Sequence, residues 1–347
     1  MSQYLNYAIQ LAEMVEGQTG INPPVGAVVV TNGKVVGIGA HLQQGDKHAE
    51  VQALDMAGNR AQGGTIYVSL EPCTHFGSTP PCVDKIIEFG ISKVVYAIKD
   101  TTLSSRGDQI LKDAGIDVEF RYQEAAAKLY NDFFTAKRNS VPEVMVKVSC
   151  SLDGKQATDE GQSQWITNRA VKQDVFQLRH INDAVITGTG TLNTDNPSYT
   201  ARIEEGKNPI RVILSRSGEI DFTLDMFKDT EAPIWIYTEN ENLTSNKNNI
   251  DINILEDCSL QNILHDLYQK GVGRVLVEAG PHITSEFLQS SYTNELIIYY
   301  APKIIGGSGR YQFYSTEHVL ELADVPNFEI VNTSMLDQNI KVQLRKK

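Results

Sequence analysis

The chain has 347 residues, 41% apolar and 21% charged, with a net charge of −12. That length suits two domains of roughly 150 residues each, and the apolar share is too high for a disordered chain. An acidic chain without basic runs is a poor match for nonspecific nucleic-acid or anionic-membrane binding, so neither is expected as a partner.

Met1 to Ala8 carries no positive segment and no unbroken apolar stretch, which does not read as a signal peptide. No window approaches the roughly 18 apolar residues of a membrane span. The expected location is the cytoplasm. Cys73, Cys82, Cys150 and Cys258 are then thiols or metal ligands rather than disulfides.

Tyr4 to Val15 has apolar residues at helical spacing. Val25 to Val30 is a β-branched run, then Asn32-Gly33 signals a hairpin into Lys34 to Ile38. A helix is predicted over 48–57, a strand over 65–70, and a helix opened by Pro80-Pro81-Cys82 and closed by Gly90. Strands over 93–98 and 116–120 alternate with helices over 109–114 and 124–138, which makes an α/β layered domain. Asn139-Ser140-Val141-Pro142 marks a boundary, so domains are expected at 1–142 and 143–347. The second half has strands over 144–149, 184–188, 210–214, 234–238, 274–277 and 295–300, with a helix over 259–271. The Asn-rich stretch 240–249 reads as a surface loop.

His48-Ala49-Glu50, Glu71-Pro72-Cys73 and Pro81-Cys82 carry the first chemistry. One imidazole and two thiolates suit tetrahedral zinc with one position open for water, whose pKa the metal lowers. Glu50, two residues from His48, is placed to move protons without binding the metal. This is the pattern of zinc nucleobase deaminases. Cys82 opens a helix, where free amides favour a thiolate. The eight-residue spacer Thr74 to Pro81 is longer than the short form of the motif and leaves His75 as a competing ligand.

These stretches, with Asn22-Pro23-Pro24-Val25-Gly26 and Leu70-Glu71-Pro72-Cys73-Thr74-His75, resemble the deaminase half of the bifunctional riboflavin-biosynthesis deaminase–reductases. In that family the long spacer is normal. The resemblance implies a cytidine-deaminase-like α/β/α layered domain, with Asn22 and the spacer loop lining a pyrimidine pocket. Ile21 stands where the family usually has Pro, Ser78 where it has a basic residue, and Asp100-Thr101-Thr102-Leu103 where it commonly has Asp-Pro-Asn-Pro.

In the second half, Gly188-Thr189-Gly190-Thr191 begins like a dinucleotide fingerprint. It lacks the third glycine and opens no evident helix, which speaks against a standard Rossmann reading. Val275 to Pro281 reads as a buried strand, a glycine turn and a helix start, able to hold a phosphate or to be a plain turn. Ser149 to Lys155, Ser163 to Thr167, Asp195-Asn196-Pro197, Glu278-Ala279-Gly280 and Ala301-Pro302-Lys303 resemble the reductase half of the same family. That half is similar to dihydrofolate reductase in fold and uses NADPH.

The resemblance implies small-molecule phosphoribosylaminopyrimidine substrates. They would be deaminated at the zinc site and then reduced from ribosyl to ribityl. Ser163, Arg179, Tyr199, Arg202 and Glu278 match substrate positions, the two arginines suiting a phosphate. Ser149, Trp165, Thr191, Asp195 and the Gly280-Pro281 turn match cofactor positions. Ser215-Arg216 replaces a more usual Asp-Ser, and Asn294 an Asp. Cys150 reads as a small core residue. A homo-oligomer is compatible with the sequence. A deaminase of another specificity, and a structural zinc module closed by His75, are the competing readings.

Overall fold

The computed structural model describes residues 2–74, 80–102, 106–164, 166–317 and 321–347. The chain divides into two units, Met1–Ser140 and Val141–Lys347.

The first unit runs α1 (Ser2–Met14), β1 (Gly26–Thr31), β2 (Lys34–Ala40), α2 (Ala49–Ala57), β3 (Thr65–Val68), α3 (Cys82–Glu88), β4 (Lys93–Tyr96), α4 (Gly107–Asp113), β5 (Asp117–Phe120) and α5 (Glu124–Asn139). Its sheet has the order β2-β1-β3-β4-β5. β1 is antiparallel to β2 and β3, and the rest of the sheet is parallel. Asn32 at φ 53° and Gly33 at φ 73° turn the β1–β2 hairpin as a two-residue loop with both residues left-handed.

Two glycines set where α2 lies. A β-carbon on Gly37 would come within 2.0 Å of Ala53 O, and one on Gly39 within 2.2 Å of Ala49 O. The helix therefore rests its backbone directly on β2, with no room for a methyl group. A buried hydroxyl relay fixes the opposite wall. Gly26 N donates to Ser69 Oγ (3.0 Å), Ser69 Oγ contacts Tyr130 Oη (2.7 Å), and Tyr130 Oη donates to Pro24 O (2.7 Å). This relay anchors the Asn22-Pro23-Pro24 loop from α5.

The second unit runs β6 (Glu143–Ser151), α6 (Arg169–Ile181), β7 (Ala184–Gly188), α7 (Thr189–Asp195), β8 (Ile210–Leu214), β9 (Ile234–Thr238), β10 (Ile250–Ile254), α8 (Leu260–Gln269), β11 (Arg274–Val277), α9 (Pro281–Gln289), β12 (Thr293–Ala301), β13 (Phe328–Leu336) and β14 (Asn339–Lys346). Among the described residues the sheet has nine strands, in the order β10-β9-β8-β7-β11-β6-β12-β14-β13. All pairings are parallel except those of β14. β11 inserts between β6 and β7, which reverses the winding direction and opens a crevice at the carboxyl ends of these strands.

One expectation needs correction, and four elements were not assigned from the sequence. Gly188-Thr189 does open a helix, α7, although only seven residues long. Its stretch Thr189–Asp195 has one buried apolar residue, Leu192, so it shows no periodic face. α6 was not anticipated, yet Val171, Val175 and Leu178 lie on its buried face and Asn168 caps it by accepting from Val171 N. β10, β13 and β14 were likewise unassigned. The edge strand β13 is mostly exposed and so lacks the alternation that marks a half-buried strand.

Candidate functional site

His48 caps the N-terminus of α2, Glu50 lies in its first turn, and Cys82 is the first residue of α3. Cys73 follows β3. His48 Nδ1 lies 3.2 Å from Cys82 Sγ and 3.4 Å from Cys73 Sγ, and all three donor atoms fall within 4.8 Å of one another. The ligands of a tetrahedral zinc with Zn–S of about 2.3 Å and Zn–N of about 2.1 Å stand about 3.6 to 3.8 Å apart. The triplet therefore fits zinc, with three protein ligands among the described residues. His75 and the rest of the spacer at 75–79 lie outside the described residues.

The electrostatics suit a cation. The hydrogen bond from Cys82 lowers the pKa of Cys73, and His48 strengthens the effect. The same bond raises that of Cys82. The α3 amide of Cys82 donates to Cys73 Sγ (3.4 Å). The helix start thus favours the thiolate of Cys73, where the sequence reading assigned that benefit to Cys82. Burial, with the nearby Cys73 charge, raises Glu50 to about 7.

The sequence reading missed His41. It is buried, and its ring lies 5.3 Å from that of His48. Its Nδ1 faces Lys47 O at 3.3 Å, an atom that can only accept, so Nδ1 carries the proton. Burial lowers its pKa, which favours this neutral form. Nε2 then accepts from Asn22 Nδ2 at 3.3 Å, leaving the Asn22 carbonyl oxygen for another donor. No local pattern around His41 distinguishes it in the sequence. Thr102, at the departure from the usual Asp-Pro-Asn-Pro, gives both its amide and its hydroxyl to Asp100 Oδ1 (2.8 and 2.6 Å). Leu103 lies outside the described residues.

The second unit holds a cleft of about 1040 Å³, at the upper end of the roughly 300–1,000 Å³ typical for one small ligand. There is room for a dinucleotide beside a second molecule. Ser149, Ser163, Arg179, Thr191, Asp195, Tyr199, Arg202, Glu278, Gly280 and Pro281 all line it, and Trp165 lies outside the described residues. Lys147, Lys172, Arg179, Arg202, Arg216 and Arg310 face it against only Asp195, Glu278 and Glu286, a local positive excess in an acidic chain. A β-carbon on Gly280 would lie 3.1 Å from Thr191 Oγ1, so the starts of α7 and α9 meet across it. Lone amides at the start of α9 and this basic lining fit the phosphates of NADPH.

At its centre Arg179 grips Glu278 with Nε–Oε1 at 2.6 Å and Nη2–Oε2 at 3.1 Å, while Nη1 donates to Thr200 O (3.1 Å). Its fork is occupied, unlike the open phosphate fork read from sequence. Arg202 donates to Ser198 Oγ (2.9 Å) and stays exposed over Phe176. Tyr199, left-handed at φ 53°, donates its hydroxyl to Glu278 O (3.0 Å) and takes a bond from Thr187 Oγ1 (2.8 Å). Ser163 Oγ donates to Asp195 Oδ1 at 2.6 Å.

Lys147, also missed, places Nζ 3.6 Å from Glu278 Oε2 with only 17% of its side chain exposed. Burial lowers its pKa against the pull of Glu278. Burial alone would raise Glu278, but Arg179 and then Lys147 bring it below the ordinary carboxylate range. A lysine inside the otherwise apolar run Val144–Val148 of strand β6 was the available signal. Cys150 is fully buried and its thiol is pushed up to about 12 by burial, in keeping with a core residue.

Comparison with known proteins places both halves of the chain in one family. The family profile described as the RibD C-terminal domain matches residues 142–342, and the cytidine and deoxycytidylate deaminase zinc-binding region matches 1–98. Riboflavin biosynthesis protein RibD of Bacillus amyloliquefaciens is 37% identical over 350 residues, 98% of this chain and 94% of that protein. That of Aquifex aeolicus is 40% identical over 87% of each chain. The crystal structure of a diaminohydroxyphosphoribosylaminopyrimidine deaminase/5-amino-6-(5-phosphoribosylamino)uracil reductase from Thermotoga maritima superposes with a TM-score of 0.89 at 36% identity, covering 99% of this chain and 98% of that one. The chain therefore belongs to the RibD family of bifunctional riboflavin-biosynthesis enzymes, with a zinc-dependent deaminase domain and an NADPH-dependent pyrimidine reductase domain.

Proposed function

We propose that residues 1–142 deaminate 2,5-diamino-6-(5-phosphoribosylamino)pyrimidin-4-one to the corresponding uracil, and that residues 143–347 reduce the ribosyl chain of this product to ribityl. The observation that carries this reading is one chain holding both the His48–Cys73–Cys82 triplet beside buried Glu50 and a basic cleft centred on Lys147, Glu278 and Arg179.

His48, Cys73 and Cys82 hold zinc, which when bound supplies a Lewis acid that makes water a nucleophile near neutral pH. Glu50 takes a proton from the attacking water and gives it to the ring nitrogen, then carries the remaining hydroxyl proton to the departing amino group, a shuttle suited by a pKa near 7. Asn22, its amide oriented by His41, accepts from the substrate with its free carbonyl oxygen.

In the second domain, NADPH when bound supplies the hydride. Lys147, its ammonium made more acidic by burial, gives a proton to the sugar ring oxygen as the C1′–O bond opens. Glu278 keeps Lys147 oriented, and Arg179 and Tyr199 hold Glu278. Arg202 takes the substrate phosphate. Ser163 and Asp195 act as one hydrogen-bonded pair at the border of the two molecules. Ser149, Thr191 and the Gly280-Pro281 turn approach the cofactor.

We place the protein in the cytoplasm, since thiolate ligands need a reducing compartment. Among the described residues no helix is long and apolar enough to cross a membrane. The exposed Ile330, Val331 and Met335 on edge strand β13 favour self-association there. Sedimentation of the purified chain should show a dimer or larger species, and a purely monomeric profile at micromolar concentration would discard this assembly.

Glu50→Ala should abolish ammonia release while sparing NADPH oxidation with the deaminated substrate. Lys147→Met should do the converse, slowing reduction about 100-fold. If either substitution removes both activities in a folded protein, the assignment of one site to each domain fails.

A further inference from the structure

Four residues in the segment that joins α7 to β8 are left-handed: Asn196 (φ 44°), Tyr199 (φ 53°), Arg202 (φ 53°) and Glu205 (φ 57°). None is a glycine, and of the four only asparagine visits this region readily. Such backbone strain persists where the surroundings hold it, and it gathers at ligand sites. The holds on this segment come from three sides. Arg179 Nη1 donates to Thr200 O (3.1 Å), Ala201 N to Asn208 Oδ1 (2.9 Å), and Lys207 N to His180 Nδ1 (3.0 Å). Gly206 N closes a turn on Ile203 O (3.0 Å), where a β-carbon at 206 would come within 2.7 Å of that of Ile203. The segment so fixed delivers Tyr199 and Arg202 to the wall of the cleft.

Phe176 of α6 lines the same cleft, three positions before Arg179 and so on one face of the helix with it. The guanidinium carbon of Arg202 lies 5.4 Å from the centroid of its ring, and that of Arg179 5.9 Å. The two arginines differ in what else holds them. Arg179 is locked by both oxygens of Glu278 and by Thr200 O, and it stacks on Tyr199 at 5.2 Å. Arg202 is exposed, and among the described residues its one hydrogen bond runs from Nη2 to Ser198 Oγ (2.9 Å). Nε and Nη1 are left to donate elsewhere. A long exposed side chain loses rotamer freedom when a ligand fixes it, so a surface that holds it beforehand strengthens binding. An aromatic ring does this for a guanidinium by cation–π attraction and leaves the hydrogen-bonding edge open.

We propose that Phe176 is a positioning residue of the reductase, whose ring holds the Arg202 guanidinium in place with its donors free for the substrate phosphate. The inference rests on the reading of Arg202 as the phosphate ligand. One ring thereby serves two arginines with separate tasks. Arg179 keeps its place through Glu278, Thr200 and Tyr199, so the loss of the ring falls on Arg202. The left-handed backbone at 202 brings that side chain to the ring, and Ser198 fixes it from the other end of the same turn.

The test compares reduction of the deaminated substrate and of its dephosphorylated counterpart by the zinc-loaded full-length enzyme. Where the dephosphorylated compound turns over too slowly, its inhibition constant takes the place of KM. Phe176→Leu keeps apolar bulk and removes the ring face. It should lower the preference for the phosphorylated substrate about 2- to 30-fold, read as the ratio of the two kcat/KM values. The change should lie in KM rather than in kcat. Phe176→Tyr should restore the native ratio. Arg202→Met should lower the ratio at least as far, and Phe176→Leu added to it should change the ratio no further. An unchanged ratio in Phe176→Leu, or a loss of kcat shared by both substrates, overturns the role of Phe176 alone. A native ratio in Arg202→Met overturns the phosphate reading and the role of Phe176 with it.

Discussion

Glu50 lies in the first turn of α2 with its carboxyl buried beside two sulfurs, which lifts its pKa from the ordinary 4.5 to about 7. In metal-free protein this has a definite sign. Between these two values the unfolded chain has released the proton and the folded chain still holds it, so stability falls as pH rises. Above about 7 the full loss remains, up to about 3 kcal/mol for this residue. Glu50→Gln should therefore stabilise the metal-free chain against urea at pH 8 but not at pH 4. Equal stabilisation at both pH values would mean that the carboxyl titrates elsewhere. At the same scale, Asn294 accepts Val144 N at 2.8 Å. An Asp there would offer the same acceptor, so this departure from the family pattern is explained by a shared backbone contact. His48, Glu50, Cys73 and Cys82 were legible because their chemistry is local, either adjacent in sequence or flanked by prolines. Lys147 and His41 were not, because their roles come from neighbours 131 positions away in Glu278 and 19 positions away in Asn22.

The elements carry these residues with little slack. α2 lies on β2 through Gly37 and Gly39, and the Gly39 contact falls at Ala49, between the candidate ligand His48 and Glu50. Gly39→Ala should push the start of α2 outwards. The expected result is about 1–3 kcal/mol of lost stability together with weaker zinc retention. Measured stability and bound zinc both equal to those of the native protein would show that the helix can move without harm. Helices α1, α2, α5 and α8 and the strands from β1 to β9 could be read from sequence within a few residues, because apolar spacing reports which face is buried, whereas α6 was passed over although it carries such a face. The short α7 and the exposed edge strand β13 could not, because neither has a full buried face to set a period.

For the whole molecule, the candidate metal ligands found among the described residues fall within Met1–Ser140 and the described cleft lining falls within Val141–Lys347. Ligand that binds only the folded state stabilises only the unit that holds it. Removing zinc with a chelator should lower the melting of the first unit and end ammonia release. The second unit should keep its transition and its NADPH oxidation with deaminated substrate. A single transition that shifts as a whole would show the two units to be thermodynamically coupled. By itself the sequence determined the α/β class and pointed to a break near residue 142, to the candidate metal triplet and to the carboxylate beside it, since each depends on periodicity or on short spacing. Only the tertiary structure decided that Arg179 is occupied by Glu278, that the amide at the start of α3 serves Cys73, and that Ser215 and Arg216 share one cleft with Thr191 and Gly280. These depend on which strand ends and helix starts are brought together across the sheet, and no local pattern in the chain records that.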